Sequence, residues 1–179
     1  MAETALHLFM YGLLPLWILA GLADWACHRR TRIEATTGLR ENLFHWAQFL
    51  QVGVAVLALL LLEINLAALS LLAVLFLTHE LTTWIELRMV AGRREISPVE
   101  QMVHSFMEIL PLAAWFLLAA AYFGEARPGA DPGRWKWEWK AEPLPVAYLV
   151  GVFVAVLALN VLPLAQEAWR CRASVRESH

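Results

Sequence analysis

The sequence predicts an all-α fold, an integral membrane bundle of five transmembrane helices in one domain over residues 1–179. Three observations predict it. The chain is 60% apolar with a mean hydropathy of +0.55, which leaves too little polar surface to wrap a soluble domain. Its 14 basic and 16 acidic residues are gathered mostly between long apolar runs. Those runs reach the roughly 20 residues that a helix needs to cross the hydrocarbon core, where each backbone N–H and C=O must be satisfied within the segment. A formal charge of -2, with no basic tract and no Gly-rich phosphate loop, argues against nucleic acid and nucleotides as partners.

The first run spans about 5–25. It is expected to be a spanning helix and not a signal peptide, because its Met-Ala-Glu-Thr start has no basic residue and its apolar stretch is too long for an h-region. The second and third runs, about 43–62 and 66–87, are separated only by Glu63-Ile64-Asn65, so they should be antiparallel neighbours. The fourth covers about 102–123 and the fifth about 145–169. Pro15, Pro111 and Pro163 lie inside runs and should kink them, Pro111 by removing the bond to the Met107 carbonyl.

The placement of Lys and Arg sets the orientation. The first connection carries Arg29, Arg30, Arg32 and Arg40, the third Arg88, Arg93 and Arg94, and the tail Arg170, Arg172 and Arg176. The opposite side has Arg127, Arg134, Lys136 and Lys140, all in the fourth connection. The N-terminus is therefore expected outside and the C-terminus in the cytoplasm, with a bacterial inner membrane as the simplest location. Cys27 and Cys171 fall near the reducing side, which agrees with unpaired thiols. In the fourth connection Trp135, Trp137 and Trp139 alternate with charges, a period of two that predicts an extended interfacial anchor.

Against this background the polar residues stand out. An ionisable side chain in a spanning helix costs roughly 2.5–3.5 kcal/mol on the lenient insertion scale, so each should face the bundle interior. Asp24/His28, Glu41/His45, Glu100/His104 and His104/Glu108 are i,i+4 pairs, and His79 and Glu86 are i,i+7. Each set shares one helical face. Antiparallel passes bring all four stripes to the inner half of the bundle, with His79 about 13 Å from the boundary at Arg88 by helical rise.

Four imidazoles and at least four carboxylates at one level suit two metal ions, with bridging carboxylates offsetting the second cation. Four of the five helices would then surround a polar metal site. Asp24, His28, Glu41, His45, His79, Glu86, His104 and Glu108 are the expected ligands. Glu80 and Glu100 are the candidates for carrying protons, that is, for catalytic work. Bland alternatives exist for several. Ser97-Pro98-Val99-Glu100 reads equally as a capping box. Glu41 suits a helix start, and Asp24 and His28 stand close enough to the interface to be solvated or paired with arginine. Glu80 points about 100° from His79 and could bond a neighbouring arginine. Glu34 reads as a solvated charge or as an extra ligand folded back. Helix 5 offers only Asn160 before Glu167 and reads as scaffold or as an oligomer contact.

The Glu-x-x-x-His stripes resemble the site chemistry of di-iron carboxylate proteins, and their placement in spanning helices is similar to that of membrane desaturases and hydroxylases. The spacing here is i,i+4, where soluble di-iron bundles use i,i+3, and no His-x-x-His-His box is present. What the resemblance implies is oxygen-dependent oxidation. The resulting expectation is a membrane-embedded dinuclear oxidoreductase holding two divalent ions, iron favoured over manganese or zinc. It would oxidise a lipid or other apolar substrate with electrons from a cytoplasmic donor. A second copy of the chain is a further candidate partner. The rivals are a divalent-metal-binding or transport protein, disfavoured by apolar outer helix halves, a zinc-dependent lipid hydrolase, and a b-type haem protein, disfavoured by the surplus of buried acids.

Overall fold

The computed structural model describes residues 2–125 and 135–177. Five helices are long and apolar enough to cross a membrane: α1 (Glu3–Thr31), α2 (Leu39–Leu61), α3 (Leu66–Val90), α4 (Pro98–Gly124) and α5 (Val146–Arg176). All five expected passes are helical, and most extend beyond their apolar runs at the end that carries the arginine-rich connections. The reason is that hydropathy falls once Asp24, Glu41 or Glu100 enters the window, whereas the backbone ladder continues until a cap stops it. Arg32, in the left-handed region at φ 53°, ends α1. Ser97 starts α4, its Oγ accepting from the Glu100 amide at 3.2 Å.

The helices close into a ring. α1 packs between α4 and α5, α2 packs between α3 and α5, and α3 meets α4. α5 therefore touches both α1 and α2, although its apolar stretch Val146–Val161 contributes no buried residue. Its contact with α1 is close: a Cβ on Gly21 would lie 2.6 Å from Asn160 Nδ2, and that amide donates to the Ile18 carbonyl at 3.0 Å. Tyr148 donates to the Met10 carbonyl at 2.9 Å, and Trp115 on α4 donates to the Leu69 carbonyl on α3 at 2.9 Å. Each of these donors would otherwise be stranded among apolar side chains. The interior around them is formed by Phe9, Leu14, Leu59, Leu72 and Leu118, while outward residues such as Leu43, Leu77, Phe116 and Phe153 are exposed, as lipid-facing positions should be.

Pro15 and Pro163 sit just after π-helical turns at Phe9–Leu13 and Leu157–Val161. The wider turn accommodates the ring and the missing N–H at each proline, the usual use of such bulges. Pro111 lies within helical α4.

The end remote from the arginine-rich connections carries the fourth connection. Its described part is extended, as the alternation predicts, and pairs with the α2–α3 turn: the Glu63 amide donates to the Glu138 carbonyl and the Lys140 amide to the Leu61 carbonyl, both at 2.9 Å. Trp135, Trp137 and Trp139 all face outward. Arg127 and Arg134, used in the orientation argument, lie outside the described residues. Cys27 and Cys171 are both free and buried.

Candidate metal centre

At the arginine-rich end the polar stripes of α1, α2, α3 and α4 meet in the ring's interior. His28 and His45 stack with parallel rings, centroids 4.4 Å apart. His28 Nε2 lies 3.5 Å from Asp24 Oδ1 and 3.3 Å from Glu100 Oε1. Asp24 Oδ1 is also 2.9 Å from His104 Nε2. On the other side of the stack, His45 Nε2 is 2.9 Å from Glu86 Oε1, and Gln48 donates to Glu86 Oε2 at 2.6 Å.

The donor atoms form three overlapping groups, each within 4.8 Å: Asp24, His28 and His45; His28, Glu100 and His104; Glu41, His45 and Glu86. The stacked imidazoles are shared between groups. Seven of the residues expected from the sequence to carry chemistry are thus brought together: Asp24, His28, Glu41, His45, Glu86, Glu100 and His104.

Two expected ligands stand apart. His79 and Glu108 belong to none of these groups among the described residues. His79 is 5% exposed and its Nδ1 has no hydrogen-bond partner. It lies two turns from Glu86, about 10 Å by helical rise, so sharing a face with Glu86 does not bring it into reach. Glu108 lies one turn beyond His104 and within electrostatic range of Glu80, whose Oε1 is buried without a partner. Glu34 is part-buried and held by Arg170 Nη1 at 3.0 Å, and it belongs to none of the three groups among the described residues.

Two participants were not legible as such in the sequence. Glu167, on α5, is 1% exposed. Its Oε2 lies 3.2 Å from His28 Nδ1, and its Oε1 lies 2.8 Å from His45 Nδ1 and 2.9 Å from Asn42 Nδ2. One carboxylate thereby faces the same nitrogen of both stacked rings. The helix read as scaffold supplies the residue that ties α1 to α2, and the signal for it was available: Asn160 and Glu167 are i,i+7, on one face. The second participant is Arg94, from the connection before α4. Its Nη2 bonds Glu100 Oε1 at 2.6 Å and Glu41 Oε1 at 2.5 Å, while Thr37 also donates to Glu41. Burial works against the Arg94 charge, but Glu100 and Glu41 more than offset it and push its pKa above the ordinary arginine value. Glu100 therefore does not complete the reciprocal capping box. The Ser97 half is present, but the Glu100 carboxylate turns inward to Arg94 and His28.

Five carboxylates, from Asp24, Glu41, Glu86, Glu100 and Glu167, converge in this interior, and Arg94, bonded to Glu41 and Glu100, is the guanidinium among them. With neutral imidazoles that leaves four uncompensated negative charges, a costly arrangement in a low-dielectric bundle. His28 Nε2, Asp24 Oδ1 and Glu100 Oε2 are moreover buried without an aligned hydrogen bond. Two divalent cations would neutralise the four charges and occupy those lone pairs. Compared with family models, curated proteins and solved structures, the chain has no match.

Proposed function

We propose that the chain is a membrane-embedded dinuclear metal oxidoreductase, most simply a di-iron one, seated in a bacterial inner membrane with its arginine-rich end in the cytoplasm. The observation that carries this reading is the convergence of three imidazoles and five carboxylates from all five helices. One ion would be held by His28, His104, Asp24 and Glu100, the other by His45, Glu86 and Glu41. Carboxylate-rich, imidazole-containing sets of this kind suit iron or manganese better than a closed structural zinc site. When bound, such a pair supplies redox chemistry with dioxygen toward an apolar substrate. The chain's own residues supply the rest. Glu167 fixes the proton of each stacked ring on Nδ1, leaving Nε2 as the ligand atom, the usual carboxylate–histidine–metal arrangement. Arg94 holds Glu41 and Glu100 in place through its guanidinium, and the apolar wall excludes bulk water.

A second reading rests on a specific feature. His45 lies between Glu86 and Glu167 at 2.9 and 2.8 Å, the geometry of a doubly protonated ring in a metal-free ion network. Elemental analysis of detergent-purified protein, with an absorption spectrum, separates the readings. Two irons per chain is the expected result. Two zincs would move the assignment to hydrolysis, and metal-free protein that binds none on titration would leave the ion network.

A further inference from the structure

Beside the cluster, on its membrane-core side, a cleft opens between α1, α2, α3 and α4. Its walls are almost entirely apolar, with Trp17, Val56, Phe76 and Trp115 among them, and its two polar members are Gln51 and His79. Both carry an unsatisfied atom. Gln51 Nε2 donates to Thr82 Oγ1 at 2.9 Å, which fixes the amide and leaves Oε1 buried without a partner. His79, 5% exposed, leaves Nδ1 in the same state. In hydrocarbon such atoms are expensive unless something in the cleft serves them.

The unserved atoms restrict what that can be. Gln51 Oε1 is an acceptor and needs an O–H or N–H donor; an ester, ketone, ether or plain acyl chain has none to give. His79 Nδ1 needs an acceptor when it carries the ring proton and a donor when Nε2 does. A hydroxyl group, donor and acceptor at once, can serve either atom, and the remaining wall demands an apolar body. We infer that the cleft bounded by Gln51 and His79 binds an apolar molecule that bears a hydroxyl group. The cleft adjoins the metal ligands: Gln51 follows Gln48 by one turn of α2, and Gln48 bonds Glu86. As a statement about substrate, the inference therefore rests on the proposed metal centre, whereas binding in the cleft does not require the ions.

Trp17 and Trp115 provide the readout, since bromine quenches indole on contact. Metal-free protein in nanodiscs is titrated with 11-bromoundecanol, with 1-bromoundecane, and with the methyl ether of the bromoalcohol. The expected result is saturable quenching by the alcohol, reversed by unbrominated undecanol. Binding should be about tenfold or more weaker for the ether and the alkane, the usual penalty for leaving a buried acceptor unpaired. Gln51→Leu and His79→Leu should remove that preference. Equal quenching by all three probes, or quenching that undecanol fails to reverse, would show a cleft filled by lipid chains or water and would overturn the inference. Because the wild-type comparison decides the matter, misfolding of a variant does not blunt it. Metal content is measured separately, so a failed metal centre and a failed cleft give different results.

Discussion

Glu167→Gln is the sharpest perturbation of the proposed centre, because it keeps the size of the side chain and removes one acceptor. The native carboxylate serves His45 and Asn42 through Oε1 and His28 through Oε2. Glutamine has one oxygen. If that oxygen stays with Asn42 and His45, the amide N–H₂ faces His28 Nδ1, donor against donor. His28 can escape only by moving its proton to Nε2, the atom that faces Asp24 and Glu100, and so loses the lone pair that would bind metal. The ion held by His28 and His104 should be lost or weakened, while the one held by His45 and Glu86 should persist. Changing a carboxylate behind a ligating histidine typically costs 10–100-fold in metal affinity, which is about 1.4–2.7 kcal/mol. Metal titration followed by elemental analysis, with circular dichroism to confirm intact helices, should show a fall from two ions per chain to about one. Two ions bound at unchanged affinity would refute the role of Glu167. Loss of both ions with the helices intact would make Glu167 a ligand itself.

Three further expectations follow from named contacts. His104→Ala should lose metal, because its Nε2 sits 2.9 Å from Asp24 in the convergent set, whereas His79→Ala should keep full metal content by the same elemental analysis. Arg94→Gln leaves Glu41 and Glu100 without their shared cation and should destabilise metal-free protein by about 3–5 kcal/mol, the cost of breaking a buried pair; a thermal melt should show a smaller loss once metal is added. Gly21→Ala should push Asn160 off the Ile18 carbonyl and cost about 1 kcal/mol for the hydrogen bond. In an Asn160→Ala background the same glycine substitution should cost almost nothing, as a double-mutant cycle of melting temperatures would reveal.

The sequence by itself determined the number of helices long and apolar enough to cross a membrane, their antiparallel order and the identity of most cluster residues. Those properties are local. Run length against the thickness of a hydrocarbon core gives the helices, and i,i+4 spacing gives each helix one polar face, so Asp24 with His28 and Glu41 with His45 could be paired on paper. The tertiary structure decided which faces meet. Spacing gives a direction around a helix axis but neither depth nor neighbour, which is why His79 shares a face with Glu86 yet stands two turns from the convergence. Likewise Glu100, matched to a capping box by its spacing, instead turns to Arg94, a residue whose position depends on how the α3–α4 connection folds back. Above all, Glu167 gains its meaning only when α5 closes the ring between α1 and α2. A lone acid in an apolar helix advertises that it needs partners, and long-range packing alone sets two stacked imidazoles against its two oxygens.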